Sequence, residues 1–169
     1  MRSKFILVTL VVLVLDHLTK YLVSTTIDPH GSIEIIPGFL RFSFVLNSGV
    51  AFGLFQDPQS TWKPYLLASL AVAAVVVIMI YSMRMPLERV LLQAALAVTM
   101  GGILGNFTDR LMRGSVVDFI EVHIRNRFYW PTFNLADSAI TIGIALLLID
   151  TLRHPDQDVS REGADPLQQ

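Results

Sequence analysis

The chain contains no cysteine among its 169 residues, and charged residues are few. Without cysteine it can form neither disulfides nor thiolate metal sites, and it has no cysteine nucleophile. Charged residues make up 16% of the sequence and hydrophobic residues 53%, whereas a typical soluble domain is about 25% charged. The formal net charge of −1 gives no electrostatic reason to expect a nucleic-acid partner. This composition favours a single domain whose main solvent is lipid.

Four apolar stretches approach the roughly 20 residues needed to cross a bilayer. They predict transmembrane helices at about residues 5–23, 65–83, 90–108 and 134–152. Since Arg2 and Lys4 precede the first stretch, a cleaved signal peptide is an alternative reading of it. However, no small-residue cleavage site follows, and Asp16 and Lys20 interrupt its far half. We therefore predict a mainly α membrane protein with four transmembrane helices.

The connecting segments predict a small extracytoplasmic β-platform. The region of about residues 28–62 contains Leu40-Arg41-Phe42-Ser43-Phe44, which alternates as a strand does, and residues 116–124 form a second β-branched candidate strand. Residues 128–130 are aromatic and predict an anchor at the membrane interface. Residues 1–154 would then form one domain, and residues 155–169 a polar, disordered cytoplasmic tail.

Basic residues indicate which side of the membrane holds the termini. Their number is equal on the two sides of the predicted membrane, so the residues that flank the first helix decide. Arg2 and Lys4 precede the first helix, and no basic residue follows it until Arg41. Because basic residues favour the cytoplasmic side, we expect both termini in the cytoplasm.

The ionisable residues of the predicted helices gather in one half of the membrane. A helix rises 1.5 Å per residue, and each distance is counted from the basic residue at the terminal side of the helix. Asp16 lies about 21 Å from Arg2, and Asp109 lies about 30 Å from Arg89. Asp137 lies about 24 Å from Arg153. Asp118 belongs to the loop on that same far side. An ionisable residue at the centre of a spanning helix costs roughly 2.5–3.5 kcal/mol and usually marks function.

Each of these residues also has a simpler explanation. Asp118 either lies exposed at a strand edge or is buried for a purpose. Asp137 follows Asn134 by three residues, so the two can simply cap the fourth helix. Asp16 and Lys20 have the spacing of an ion pair within one helix.

Other polar and small residues are open to the same two readings. Asp109 and Arg110 can serve only to anchor the outer end of the third helix, and Asn47 can be a turn residue. The stripe of Ala97, Gly101 and Gly105 can serve helix packing alone. His17 and His123 lack partners at metal-ligand spacing, so we expect no metal.

Read together, five segments resemble the lipoprotein signal peptidase family, also called signal peptidase II. They occur in the order of the family and span nearly the whole chain except its tail. In chain order they are Asp16-His17-Leu18-Thr19-Lys20, Asn47-Ser48-Gly49-Val50-Ala51-Phe52-Gly53, Gly105-Asn106-Phe107-Thr108-Asp109-Arg110, Val116-Val117-Asp118-Phe119 and Phe133-Asn134-Leu135-Ala136-Asp137-Ser138.

The resemblance implies an aspartic endopeptidase of the bacterial cytoplasmic (inner) membrane, with its active site facing the periplasm. It would remove the signal peptide from a prolipoprotein ahead of a diacylglyceryl-modified cysteine. Asp118 and Asp137 would be catalytic. The residues that would support them or bind substrate are Asp16, Asn47, Gly49, Asn106, Asp109, Arg110 and Asn134. No cofactor is implied, inhibition by globomycin is expected, and one chain holding both aspartates would suffice as a monomer.

Two other classes of protein remain open from the residues alone. A proton-coupled transporter could use Asp16, Asp109 and Asp137 as a relay. A structural subunit that scaffolds a partner would tolerate Asp→Asn changes at the same positions.

Overall fold

The computed structural model describes residues 2–49, 62–125 and 127–154. Its helices are α1 (Arg2–Thr26), α2 (Lys63–Arg84), α3 (Val90–Arg113) and α4 (Leu135–Arg153), and its strands are β1 (Ser32–Ile36), β2 (Leu40–Asn47), β3 (Val116–Ile124) and β4 (Phe128–Tyr129). All four helices are long and apolar enough to cross a membrane. The predicted fold class is therefore confirmed. The predicted tail at residues 155–169 and the part of the strand region at 50–61 lie outside the described residues.

Helix α3 forms the centre of the bundle and packs against the other three helices. Close approach depends on glycine: a Cβ added to Gly101 would lie 2.6 Å from the Cβ of Val12 in α1, and one added to Gly102 would lie 2.4 Å from the carbonyl oxygen of Ala136. The close helix approach predicted from the small-residue stripe is confirmed, and a second glycine face packs on α4.

Helix α2 packs differently from the others. Over the described residues, its Cα atoms come within 8 Å of those of α3 and not of those of α1 or α4. Side chains of α2 and α4 line the two sides of a gap between these helices.

The four strands form one antiparallel sheet in the order β1-β2-β3-β4. Phe119 of β3 packs with Val23 and Ile27 at the end of α1, which seats the sheet on the bundle. The aromatic segment predicted as an interface anchor begins with β4, and its three side chains are about half exposed.

The turn between α3 and β3 places the first candidate catalytic residue. Gly114 ends α3 with φ of 70°, a left-handed conformation that glycine adopts without strain. Strand β3 then starts at Val116 and pairs with β2 so that Val45 lies opposite Asp118. This register brings the end of β2, with Asn47, beside the same carboxylate.

Candidate active site

Asp118 and Asp137 come from separate elements and meet at Asn134. Asp118 lies on β3 and is 2% exposed. Asp137 is the third residue of α4, and Asn134 is the N-cap of that helix. The Asn134 side chain donates to Asp118 Oδ1 at 2.7 Å, while its Oδ1 accepts from the backbone N–H of Asp137 at 2.9 Å. One asparagine therefore touches both candidate catalytic residues.

The capping explanation for Asp137 is correct, and it does not compete with a functional one. Asp137 Oδ2 accepts from the backbone N–H of Asn134 at 3.2 Å, which completes a capping box. Its other oxygen, Oδ1, accepts from Asn106 Nδ2 at 2.7 Å. The cap fixes the rotamer of the carboxylate that faces the cavity.

Asp118 is held in an environment that favours its protonated form. Burial raises its pKa from 3.8 to about 6, and the charge of Asp137 also raises it, whereas hydrogen bonds from Asn47 and Asn134 lower it. Asn47 Nδ2 donates to Asp118 Oδ2 at 2.8 Å, so the prediction that Asn47 is only a turn residue is incomplete. A carboxyl with a raised pKa beside a second carboxylate is typical of a proton-sharing pair.

Arg110 and Gly49 form the adjoining rim of the site. Arg110 donates to the carbonyl oxygen of Gly49 at 3.2 Å and to that of Asn106 at 3.3 Å. The backbone N–H of Gly49 in turn donates to Asn47 Oδ1 at 2.9 Å. The turn after β2 is thus tied both to α3 and to the residue that contacts Asp118.

Asp16 and Asp109 are both buried, and both lie beside the buried Lys20. The predicted ion pair between Asp16 and Lys20 is present at 2.7 Å, yet it is one part of a larger cluster. Likewise, Asp109 does more than anchor the end of α3, because its carboxylate lies 2.9 Å from the same ammonium.

Both candidate catalytic residues line one cavity of about 820 Å³. Its polar end is formed by Asp118, Asp137, Asn47, Asn106 and Arg110, and its apolar arm runs between α2 and α4. The residues of that arm include Leu67, Leu70, Ala71, Ala74, Ile140 and Ile142. The cavity therefore connects the two carboxylates to an apolar slot between two helices.

Two features of the structure were not anticipated from the sequence. The spacing of Lys20 predicts only a partnership with Asp16, although its depth, which it shares with the other ionisable groups, is a signal for a role in the site. The buried ion pair of Arg89 and Asp150, at the opposite end of the bundle, had no signal beyond opposite charge near two helix ends.

Three or more metal-binding side chains do not cluster anywhere in residues 2–49, 62–125 or 127–154. The two carboxyls, the amide donors around them and the cavity between membrane-spanning helices are the features expected of an integral membrane hydrolase of the aspartic type.

Comparison with known proteins agrees with that class. A model of the family described as signal peptidase (SPase) II matches residues 8–153, and the chain belongs to this family. It is 38% identical over 152 residues to the lipoprotein signal peptidase of Pseudomonas aeruginosa strain UCBPP-PA14, covering 90% of this chain and 89% of the relative. It is also 39% identical over 153 residues to that of Acinetobacter baylyi, covering 90% and 84%.

Solved structures support the same fold. Two structures described as bacterial membrane enzymes are each 31% identical in sequence to this chain. One superposes with a TM-score of 0.81, covering 92% of this chain and 91% of the other, and the second with 0.79, covering 90% and 94%. The chain is thus a multi-pass membrane protein and an aspartic endopeptidase of the signal peptidase II family.

Proposed function

We propose that Asp118 and Asp137 are the catalytic pair with which this enzyme removes the signal peptide from lipid-modified prolipoproteins, cleaving ahead of the diacylglyceryl-cysteine. The observation that carries the proposal is Asn134, whose side chain binds Asp118 Oδ1 while it caps the helix that presents Asp137. Both carboxyls also face one cavity that opens between helices.

The chemistry needs only the two carboxyls and one water. Asp137 receives donors from Asn106 and from the backbone of Asn134 at the N-terminus of α4, an arrangement that suits a carboxylate anion. Asp118, with its raised pKa, is the partner that holds the shared proton. Asp137 takes a proton from the water as its oxygen attacks the scissile carbonyl carbon, and Asp118 gives its proton to the carbonyl oxygen.

Collapse of the resulting diol completes the reaction. The proton taken by Asp137 passes to the leaving nitrogen as the C–N bond breaks, and the diol returns a proton to Asp118 as the new carboxyl forms. The pair ends with one shared proton, as it began. The proton therefore belongs to the pair, and not to one carboxyl, during turnover.

The apolar arm of the cavity fits a substrate that approaches from the bilayer. A hydrophobic signal peptide and acyl chains can remain in hydrocarbon while the peptide bond reaches the polar end through the gap between α2 and α4. Leu70 and Ala71 line this path from α2, and Ile142 lines it from α4.

The remaining expectations belong to the same proposal. Residues 1–154 form one intramembrane protease domain, and residues 155–169 form a cytoplasmic tail. The enzyme resides in the bacterial inner membrane with both termini in the cytoplasm and its active site towards the periplasm. It works as a monomer, without a cofactor, in contact with membrane lipid, and globomycin inhibits it.

The test is cleavage of a diacylglyceryl-modified prolipoprotein by purified protein in detergent. Asp118→Asn and Asp137→Asn each remove one of the two carboxyls while preserving side-chain size, and both should abolish cleavage. Asp28→Asn is the matched control, because Asp28 is exposed and outside the cavity. Substantial cleavage by either active-site variant would remove that residue from the mechanism.

The transporter alternative is tested with the same variants. Proton uptake into vesicles that contain the wild-type protein, with no cleavage of the prolipoprotein, would favour a relay through Asp16, Asp109 and Asp137. The scaffold alternative would be favoured if all Asp→Asn variants behaved as the wild type.

A further inference from the structure

Lys20 is the most deeply buried cation of the described chain, at 1% exposure, and the mechanism above does not use it. Its ammonium lies 2.7 Å from Asp16 Oδ2, 2.9 Å from Asp109 Oδ2 and 3.0 Å from Asn106 Oδ1. One carboxylate would be enough to neutralise the charge of a buried lysine, and Lys20 contacts two.

Each carboxylate around Lys20 holds the backbone immediately before a catalytic residue. Asp16 Oδ1 accepts from the N–H of Ala136 at 2.9 Å, and Ala136 directly precedes Asp137. Asp109 Oδ2 accepts from the N–H of Val117 at 3.4 Å, and Val117 directly precedes Asp118. The ammonium of Lys20 therefore binds both of the carboxylates that hold the backbone next to Asp118 and Asp137.

The third contact fixes the direction of an amide. An ammonium can only donate, so it requires the oxygen of the Asn106 side chain to face it. That oxygen also accepts from Asn134 Nδ2 at 3.1 Å. With Oδ1 committed to two donors, the Nδ2 of Asn106 must point away from Lys20, where it donates to Asp137 Oδ1 at 2.7 Å.

We propose that Lys20 is a positioning residue of the catalytic pair: it holds Asp16 and Asp109 against the backbone before each aspartate and turns the Asn106 amide so that it donates to Asp137. The inference rests on the proposed function of Asp118 and Asp137. Lys20 itself does not touch the substrate or the attacking water.

The first experiment measures kcat, KM and thermal unfolding of Lys20→Met with the lipid-modified prolipoprotein. Methionine has similar volume and no donors, so the Asn106 amide loses one of the two donors that fix its direction and keeps only Asn134. We therefore expect kcat to fall on the order of 100-fold with KM little changed. Arg113→Gln is the matched control, since Arg113 is 43% exposed and lies 4.0 Å from Asp109, and its kcat should equal that of the wild type.

A pH profile separates positioning from a merely structural role. The charge of Lys20 counteracts the effects of burial and of Asp137 on the pKa of Asp118. The pH above which kcat/KM declines, the alkaline limb of the pH profile, should therefore be higher in Lys20→Met than in the wild type. A structural role alone would lower the melting temperature and leave both kcat of the folded protein and the position of this limb unchanged.

A double-mutant cycle with Asn106→Leu tests the route through the amide. If Lys20 acts on Asp137 through Asn106, the Lys20→Met change should reduce kcat much less in the Asn106→Leu background than in the wild type. Full additivity of the two effects would overturn this route.

Asn106→Asp covers the case in which Lys20→Met does not fold. An aspartate keeps an oxygen for the ammonium but, when ionised, cannot donate to Asp137. Activity should be low at neutral pH and recover towards acid pH, where a protonated carboxyl can donate again. Wild-type kcat at neutral pH would refute the inference, while a wild type that does not cleave, or an active Asp137→Asn, would refute the proposed function instead.

Discussion

The raised pKa of Asp118 should set the pH range in which the enzyme works. Its shift from 3.8 to about 6 corresponds to about 3 kcal/mol in favour of the protonated form. Above pH 6 the pair loses its shared proton, so kcat/KM, which reports the free enzyme, should fall by about tenfold per pH unit. The wild-type profile with a lipid-modified prolipoprotein should therefore bend downward near pH 6.

Asn47 supplies the perturbation that tests this reasoning. Its Nδ2 donates to Asp118 Oδ2 at 2.8 Å and lowers the pKa of that carboxyl. Hydrogen bonds to charged groups contribute about 1.5–3 kcal/mol, and because Asn47 is only partly buried we take the lower end, or about one pKa unit. In Asn47→Ala the alkaline limb should therefore move up by about one pH unit.

The assay compares the pH dependence of kcat/KM for the wild type and Asn47→Ala between pH 4 and 9. Leu46→Ala is the control, because Leu46 is the preceding residue of β2 and is 57% exposed. A wild-type limb near the ordinary aspartate value, or an Asn47→Ala limb that moves to lower pH, would refute the assignment of the shared proton to Asp118.

Three further predictions concern stability in detergent, measured by thermal unfolding. Because the folded-state pKa of Asp118 is raised, the contribution of this carboxyl to stability is complete below pH 3.8 and is lost as the pH rises through about 6. The wild type should therefore have a higher melting temperature at pH 5 than at pH 7. This difference should be smaller in Asp118→Asn. Gly143→Ala would place a Cβ 2.0 Å from Thr99 Oγ1 and should cost about 1–3 kcal/mol, whereas an alanine at the exposed Ile144 should have little effect. Arg89→Met should cost about 3–5 kcal/mol because it leaves the buried Asp150 carboxylate with only the His154 ring, 3.7 Å away, and adding Asp150→Leu should restore part of that loss. Equal stability of the single and double variants would argue against the pair.

The local parts of the site could be predicted from the sequence because they depend on short spacings. The three-residue interval between Asn134 and Asp137 predicted a helix cap, and the structure contains the full capping box. The four-residue interval between Asp16 and Lys20 predicted an ion pair, which is present. Both interactions are fixed by the pitch of a single helix.

The contacts between elements could not be read in this way. Asn47 looked like a turn residue because its partner, Asp118, is 71 positions away and meets it only through the register of β2 against β3. Lys20 looked like the partner of one acid because Asn106 and Asp109 reach it only through the close packing of α1 on α3.

The sequence by itself determined that this chain crosses a membrane four times and places Asp16, Asp109 and Asp137 in one half of it, because the length of an apolar run and the rise of a helix are local quantities. Only the tertiary structure decided which of those groups touch. Helix α3 crosses α1 and α4 at glycines, and β3 lies beside the N-terminus of α4, so Asn134 comes to bind Asp118 while it caps the helix of Asp137. Such contacts depend on packing and strand register, which no spacing along the chain encodes.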